Sequence, residues 1–165
     1  MSTVAVAALV FVLMLVEASR AASNEARLRS RGGVEAPHDV HAIMRVAYPA
    51  AFLAMILEQA VRGAPASDIA AIGVALFVAA KALKWWAIFA LGPSWTFRVI
   101  VVPGAPLVAS GPYRFLRHPN YIAVVGELVA VGLMTGARVA GPVAVLGFGL
   151  LMLKRIAVEE RALRI

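Results

Sequence analysis

The residues best suited to chemistry lie in one stretch, 107–121, between two apolar segments. Its polar side chains include Tyr113, Arg114, Arg117, His118, Asn120 and Tyr121. Gly111-Pro112 predicts a turn, and His118-Pro119 predicts a helix start, because proline is tolerated in the first turn and poorly in the interior. The free N–H groups of a helix N-terminus, together with nearby donors, can hold a charged or polar small molecule. The stretch therefore predicts a small-molecule site at the mouth of an apolar helix.

A second polar cluster lies close to the C-terminus and contains Lys154-Arg155, Glu159-Glu160 and Arg161. Arg155 and Glu159 are four residues apart, so they share one face of a helix. A purely structural salt bridge is the simpler interpretation, and it would stabilise the helix by a few tenths of a kcal/mol.

Composition restricts the class of protein. The chain has 165 residues, of which 62% are hydrophobic and 15% charged, and its mean hydropathy is +0.85. These values predict one integral membrane domain over residues 1–165. The chain has no cysteine, which excludes disulfides, thiolate metal sites and cysteine nucleophiles. We expect no metal site. The net charge of +7 is better explained by membrane orientation than by a nucleic-acid partner.

Apolar runs predict an all-α polytopic fold of about five transmembrane helices, with the site on the C-terminal hairpin. The predicted spans lie near 3–18, 43–60, 68–91, 119–135 and 142–157. The first run lacks a basic segment before it and a clear cleavage site, so we interpret it as a span rather than a signal peptide. A polar helical extension is expected to stop at Gly32-Gly33.

Basic residues are distributed unequally between the two sides of this arrangement. One side collects Arg20, Arg27, Arg29, Arg31, Arg98, Arg114, Arg117, Lys154, Arg155, Arg161 and Arg164, whereas the other collects Arg62 and Arg138. The excess predicts that the first side is cytoplasmic and that the N-terminus is outside. We expect a bacterial cell membrane location, with the site facing the cytoplasm.

The spacing of the two polar clusters predicts that they meet. If the last turn centres on Arg138, Tyr121 lies 17 residues before it and Arg155 lies 17 after it. His118 and Glu159 lie 20 before and 21 after. Antiparallel helices joined by a tight turn place residues at equal distances from the turn at the same height.

Two motifs then resemble a known family. Leu-Val-x-x-Gly-x-Tyr-x-x-x-Arg-His-Pro-x-Tyr, followed by Arg-x-x-x-Glu-Glu-x-x-Leu, is similar to the isoprenylcysteine carboxyl methyltransferases. These are integral membrane enzymes that take a methyl group from S-adenosylmethionine. The N-terminal pattern from Glu17 through Asn24-Glu25 to Gly32-Gly33-Val34-Glu35 resembles a bacterial subgroup. Some members of that subgroup are associated with polyketide synthases and methylate alkylpyrone-type lipids.

The resemblance implies a cofactor region at 105–121 and 155–163. Cofactor-binding roles are carried over to Pro106, Leu107, Val108, Tyr113, His118, Pro119, Asn120, Tyr121 and Glu159. Arg155 would bind the substrate, and Arg155 and Glu159 would serve catalysis. The implied acceptor is a carboxylate or hydroxyl of a lipophilic molecule, or a prenylated substrate, that enters from the bilayer among membrane lipids.

Other interpretations stay open. A membrane reductase of the steroid-reductase type has a similar Arg-His-Pro-Asn-Tyr box and uses a nicotinamide cofactor. A non-catalytic membrane scaffold is the third possibility. Oligomeric state is not fixed, although the Gly-x-x-x-Gly pair at Gly132 and Gly136 permits close helix contact.

Lys81, Lys84 and Glu127 are charged residues inside predicted spans and are therefore functional candidates. Lys81 and Lys84 precede Trp85-Trp86, which favours snorkelling to the interface, with a polar cavity as the alternative. Glu127 lies seven residues after Asn120 and so points the same way, deeper in the membrane. It should be protonated, paired with a cation such as Lys84, or hydrated. A helix-to-helix hydrogen bond is one role, and a general base for a hydroxyl acceptor is the other.

Overall fold

A computed structural model describes residues 2–163 as five α-helices, and the longest connection between helices spans residues 92–118. The helices are α1 (Thr3–Ser30), α2 (His41–Arg62), α3 (Ser67–Leu91), α4 (Pro119–Thr135) and α5 (Ala140–Leu163). Two short strands, β1 (Val34–Glu35) and β2 (Ile100–Val101), pair antiparallel, with Val34 opposite Val101. Arg164, which contributed to the predicted charge asymmetry, lies outside the described residues.

Four of these helices are long and apolar enough to cross a membrane, namely α1, α2, α3 (continued to Ser94) and α5, and α4 is a shorter apolar helix. Seventeen residues at 1.5 Å each give α4 a length of about 25 Å. The chain is therefore an all-α polytopic membrane protein, as predicted. The polar extension of α1 ends at Ser30, and Gly32 has the positive φ of 79° expected of a residue that stops a helix.

Helix α4 is the most enclosed element and packs most closely on α3. Both glycines at the contact are needed for this approach. A Cβ on Gly73 would lie 2.7 Å from the backbone nitrogen of Met134, and one on Gly126 would lie 3.1 Å from the Cβ of Ala80. The close packing fixes the height of α4, and therefore of the predicted site at its N-terminus.

A buried ion-pair cluster joins four helices inside the membrane-spanning region. We use this name for Glu17, Tyr48, Lys81, Lys84 and Glu127. The ammonium nitrogens of Lys81 and Lys84 each lie 2.7 Å from Glu17, and they lie 3.1 and 3.3 Å from Glu127 Oε1. Tyr48 donates a hydrogen bond to the other oxygen of Glu127.

The buried ion-pair cluster distinguishes between the alternatives predicted for Lys81, Lys84 and Glu127. Only 2% of the Lys84 side chain and 12% of the Lys81 side chain are exposed. The expectation that the lysines snorkel to the interface is therefore wrong, because carboxylates on α1 and α4 lie within their reach. The alternative that paired Glu127 with Lys84 is confirmed.

The hairpin between α4 and α5 turns at residues 136–139, which include Arg138. Gly136 ends α4 in the left-handed conformation, with a φ of 67°. The carboxylate of Glu58, from α2, accepts backbone N–H bonds from Arg138, Val139 and Ala140 at 2.7–3.3 Å. An acidic side chain from another helix thus satisfies the free donors at the start of α5.

Candidate active site

The two polar clusters meet at the open end of the α4–α5 hairpin, as the spacing predicted. The Tyr121 hydroxyl donates to Glu159 Oε2 and accepts from Arg155 Nε, which lies 3.0 Å away. His118 Nε2 lies 3.2 Å from Glu160 Oε1, and the His118 ring stacks on Tyr121 with centroids 5.5 Å apart. Local sequence explains the position of both rings, because Pro119 begins α4, His118 occupies the N-cap position and Tyr121 lies in the first turn.

A cavity of about 380 Å³ opens beside this meeting point. Most of the residues implied by the family resemblance line it: Pro106, Leu107, Val108, Tyr113, His118, Asn120, Tyr121, Arg155 and Glu159. Two of the predicted site residues are not among the lining residues. Pro119 is buried as the first residue of α4, and Glu127 lies in the buried ion-pair cluster. A general-base role for Glu127 stays a prediction.

The loop after α3 contributes a wall that sequence reasoning missed. Trp95 is 2% exposed, and its indole N–H donates to Asn120 Oδ1 at 3.3 Å. The side-chain amide of Asn24, on α1, donates to the carbonyl oxygens of Gly92 and Trp95 at 3.1 and 2.8 Å. These contacts join residues 25 to 71 positions apart, so no local spacing in the sequence indicates them.

Asp39 is the second missed residue. Its carboxylate lies 2.7 Å from Nη1 of Arg155, and the two side chains are only 4% and 7% exposed. The same carboxylate accepts the backbone N–H of Val99 at 2.8 Å and that of His41 at 3.0 Å. Asp39 thus joins α5 to the cavity wall next to β2. The sequence signal was weak, since Asp39 is one of two acids in the segment between α1 and α2 and no spacing relates it to Arg155.

Ion pairs also fasten the small β1–β2 sheet over the cavity. The Glu35 carboxylate lies 2.6 Å from Arg29 and 2.6 Å from Arg98. The hydrogen bond from Arg29, supported by the bond and charge of Arg98, lowers the pKa of Glu35 below its ordinary value. Burial, and then the negative charge of Glu159, raises the pKa of the Tyr113 phenol. Tyr113 therefore stays neutral at physiological pH and can act as a hydrogen-bond donor.

The cavity offers both signs of charge to a ligand. Glu159 is a carboxylate on the α5 wall, whereas Arg31 and Arg117 line other parts of the cavity. Among residues 2–163, neither arginine has an ion-pair partner. The arrangement suits a small molecule that carries a cationic and an anionic group, such as an amino acid moiety.

Comparison with known proteins agrees with the motifs. The sequence model of the isoprenylcysteine carboxyl methyltransferase (ICMT) family matches residues 72–165, more than half of the chain. The chain is 27% identical over 157 residues to the "Uncharacterized protein YpbQ" of Bacillus subtilis (strain 168), covering 95% of this chain and 94% of the relative. It is 25% identical over 141 residues to an "Uncharacterized protein" of Haemophilus influenzae, covering 85% of this chain and 82% of that relative. No solved structure matches significantly. On the family match, this chain belongs to the isoprenylcysteine carboxyl methyltransferase family.

Proposed function

We propose that this chain is a membrane O-methyltransferase that uses S-adenosylmethionine and acts on a lipophilic acceptor. The observation that carries the proposal is the polar cavity at the N-terminus of α4, where Tyr121, Arg155 and Glu159 form one hydrogen-bonded chain. Membership of a methyltransferase family supports it and favours methyl transfer over the reductase and scaffold alternatives.

The residues around the cavity fit the cofactor. A volume of about 380 Å³ lies within the range of roughly 300–1,000 Å³ typical of small-molecule sites. Glu159 suits an ammonium or ribose group, whereas His118, Arg31 and Arg117 suit a carboxylate. Backbone groups of residues 106–108 and the ring of Tyr113 line the cavity and are available to a purine. When bound, the cofactor supplies a methyl group on a positively charged sulfur.

The protein's part in such a reaction is to position the reactants and exclude water. The chain of bonds from Asp39 through Arg155 and Tyr121 to Glu159 holds each side chain in one orientation. Because these groups satisfy one another, little reorganisation is needed when ligands bind. Tyr113, kept neutral by its raised pKa, can donate to an oxygen without competing as a nucleophile.

Arg155 is not a free counter-ion for the charge of an acceptor. Its Nη1 group is bound to Asp39 and its Nε group to Tyr121, so its charge is balanced before any acceptor arrives. We propose that Arg155 orients the oxygen atom of the acceptor by hydrogen bonding. That role accepts a carboxylate, or a hydroxyl acidic enough to arrive already ionised, because an oxygen that has lost its proton needs no base.

We further propose that the acceptor enters from the bilayer and the cofactor from the cytoplasm. Arg and Lys residues are in excess on the side of the helices that carries the site. This excess supports a cytoplasmic site and an external N-terminus. The apolar helices beside the cavity support a lipophilic acceptor, of isoprenoid or polyketide-like character.

A labelled methyl-transfer assay tests the proposal. Purified protein is incubated with methyl-labelled S-adenosylmethionine and a bacterial lipid extract, and label in the organic phase is counted. We expect labelled lipid with the wild type and at least tenfold less with Arg155→Ala and Glu159→Gln. Arg155→Ala should still bind S-adenosylhomocysteine, whereas Glu159→Gln should bind it weakly.

The matched control is Arg45→Gln, because Arg45 is an exposed cation on α2 that does not line the cavity. It should label lipid as the wild type does. Folded wild-type protein that transfers no label, or that consumes NADPH with the same extract, would contradict the proposal and favour the reductase.

A further inference from the structure

A second cavity, of about 700 Å³, lies on the outer face of the bundle between α1 and α3. We call it the α1–α3 groove; its lining residues include Leu15, Val16, Ser19, Arg20, Ser23, Arg27 and Trp85. It shares no lining residue with the candidate active site. Nothing in the proposed reaction uses it.

The groove changes character along α1. Leu15 and Val16 are 70% and 48% exposed, so at that level the wall is apolar and open to lipid tails. Arg27 lies 12 residues after Leu15, which corresponds to about 18 Å along the helix at 1.5 Å per residue. Ser19, Arg20 and Ser23 lie between them on the same side of the helix. An apolar end and a polar end in this order match the tail and headgroup of a membrane lipid.

Arg20 lies against two aromatic rings and, among the described residues, has a donor without a partner. Its guanidinium carbon lies 5.3 Å from the centroid of Phe89 and 6.0 Å from that of Trp85. Its Nε is buried and has no hydrogen-bond partner within residues 2–163. A buried donor left unpaired costs free energy, which an incoming acceptor would recover.

The neighbouring carboxylates cannot supply that acceptor. Glu17, one turn before Arg20, is bound by Lys81 and Lys84, and Glu25 is paired with Arg98 at 3.4 Å. Arg27 is exposed, and among the described residues it too has no ion-pair partner. Arg20 and Arg27 are seven residues apart, so they lie within about 20° of one helix face.

We propose that the α1–α3 groove binds an anionic phospholipid. Arg20 and Arg27 bind its phosphate, because guanidinium groups match phosphate oxygens in geometry and charge. The hydroxyls of Ser19 and Ser23 can donate to the headgroup. Trp85 lies at the boundary between headgroup and tail, where tryptophan is favoured, and one acyl chain follows Leu15 and Val16.

Such a lipid would affect the candidate active site indirectly. Helix α1 holds the cavity wall through the bonds of Asn24 to Gly92 and Trp95. A ligand that bridges α1 and α3 and binds only the folded chain stabilises this arrangement by mass action.

The test measures lipid retention and thermal stability in neutral detergent. Phosphatidylglycerol and phosphatidylcholine with identical acyl chains are added separately to the full chain, and inorganic phosphate is a third arm. We expect native mass spectrometry to show phosphatidylglycerol retained by the wild type, with a rise in Tm. Arg20→Gln/Arg27→Gln should lose at least half of that rise, and Arg45→Gln should keep it.

Three results would overturn the proposal: an undiminished rise in the double variant, an equal rise with phosphatidylcholine, or an equal rise with inorganic phosphate. If the double variant does not fold, the single variant Arg27→Gln is measured instead. Arg27 is exposed and belongs to neither hydrophobic core cluster of the described residues, so its replacement should not disturb folding. That variant should retain several-fold less phosphatidylglycerol, and equal retention would count against the site.

Discussion

Asp39 and Arg155 are 116 residues apart and form a buried ion pair with 2.7 Å between Oδ1 and Nη1. The pair links the segment before α2 to α5. Asp39 lies outside the region that matches the family, 72–165, whereas Arg155 lies within it. The orientation of Arg155 therefore depends on a part of the chain that the family motifs do not include.

The first prediction concerns Asp39 as a positioning residue. Asp39→Asn should lower the Tm, because breaking a buried pair by removing one partner costs roughly 3–5 kcal/mol. Methyl transfer per folded molecule should fall about tenfold, and Asp39→Glu should restore part of it. In a double-mutant cycle with Arg155→Gln, the two losses should be less than additive. Fully additive losses would show that the two side chains act independently.

A second prediction separates stability from catalysis at Glu127. Glu127→Gln leaves Lys81 and Lys84 sharing only the Glu17 carboxylate, and it also changes the acceptor of the Tyr48 hydroxyl. We expect a clear fall in Tm. The specific activity of the folded fraction should stay within about threefold of the wild-type value. Tm and activity are measured on the same preparation.

The opposite result at Glu127 is equally informative. An unchanged Tm, with activity lost and the acid limb of the pH profile removed, would support the general-base hypothesis. It would also require Glu127 to leave the buried ion-pair cluster when an acceptor binds.

The sequence was most informative where structure is local or regular. Apolar runs predicted the helices, and equal distances from Arg138 predicted that Tyr121 meets Arg155. Hydropathy along one segment could not predict the environment of Lys84, because its carboxylate partners lie on α1 and α4. The hydrogen bonds of Asp39 and Asn24 could not be predicted for the same reason, because they depend on how distant segments of the chain pack together.

A third prediction concerns the start of α5. Glu58 accepts three backbone N–H groups there and lies 3.2 Å from Arg62. Glu58→Ala should lower the Tm by a few degrees, because those donors lose their acceptor. Affinity for S-adenosylhomocysteine should stay unchanged, since Glu58 lies at the opposite end of the hairpin from the cavity. A Tm equal to that of the wild type would show that water replaces the cap.

The fourth prediction is a pH dependence at Glu35. Its pKa is lowered in the folded chain by Arg29 and Arg98, so its ion pairs contribute stability that is present above the ordinary value of 4.5. That contribution is lost as the pH falls through the lower, folded pKa. Glu35→Gln should therefore lower the Tm at pH 7, and the difference from the wild type should shrink below pH ~4. A difference independent of pH would contradict this.

The central claim is that the cavity beside α4 binds S-adenosylmethionine through residues of both polar clusters. Isothermal titration of the purified protein with S-adenosylhomocysteine tests it directly, with NADPH as the competing ligand and Arg45→Gln as control. We predict binding of S-adenosylhomocysteine but not NADPH, and a loss of affinity of at least about tenfold, ~1.4 kcal/mol, in His118→Ala and Tyr121→Ala. Equal affinity in both folded variants, or binding of NADPH alone, would contradict the account.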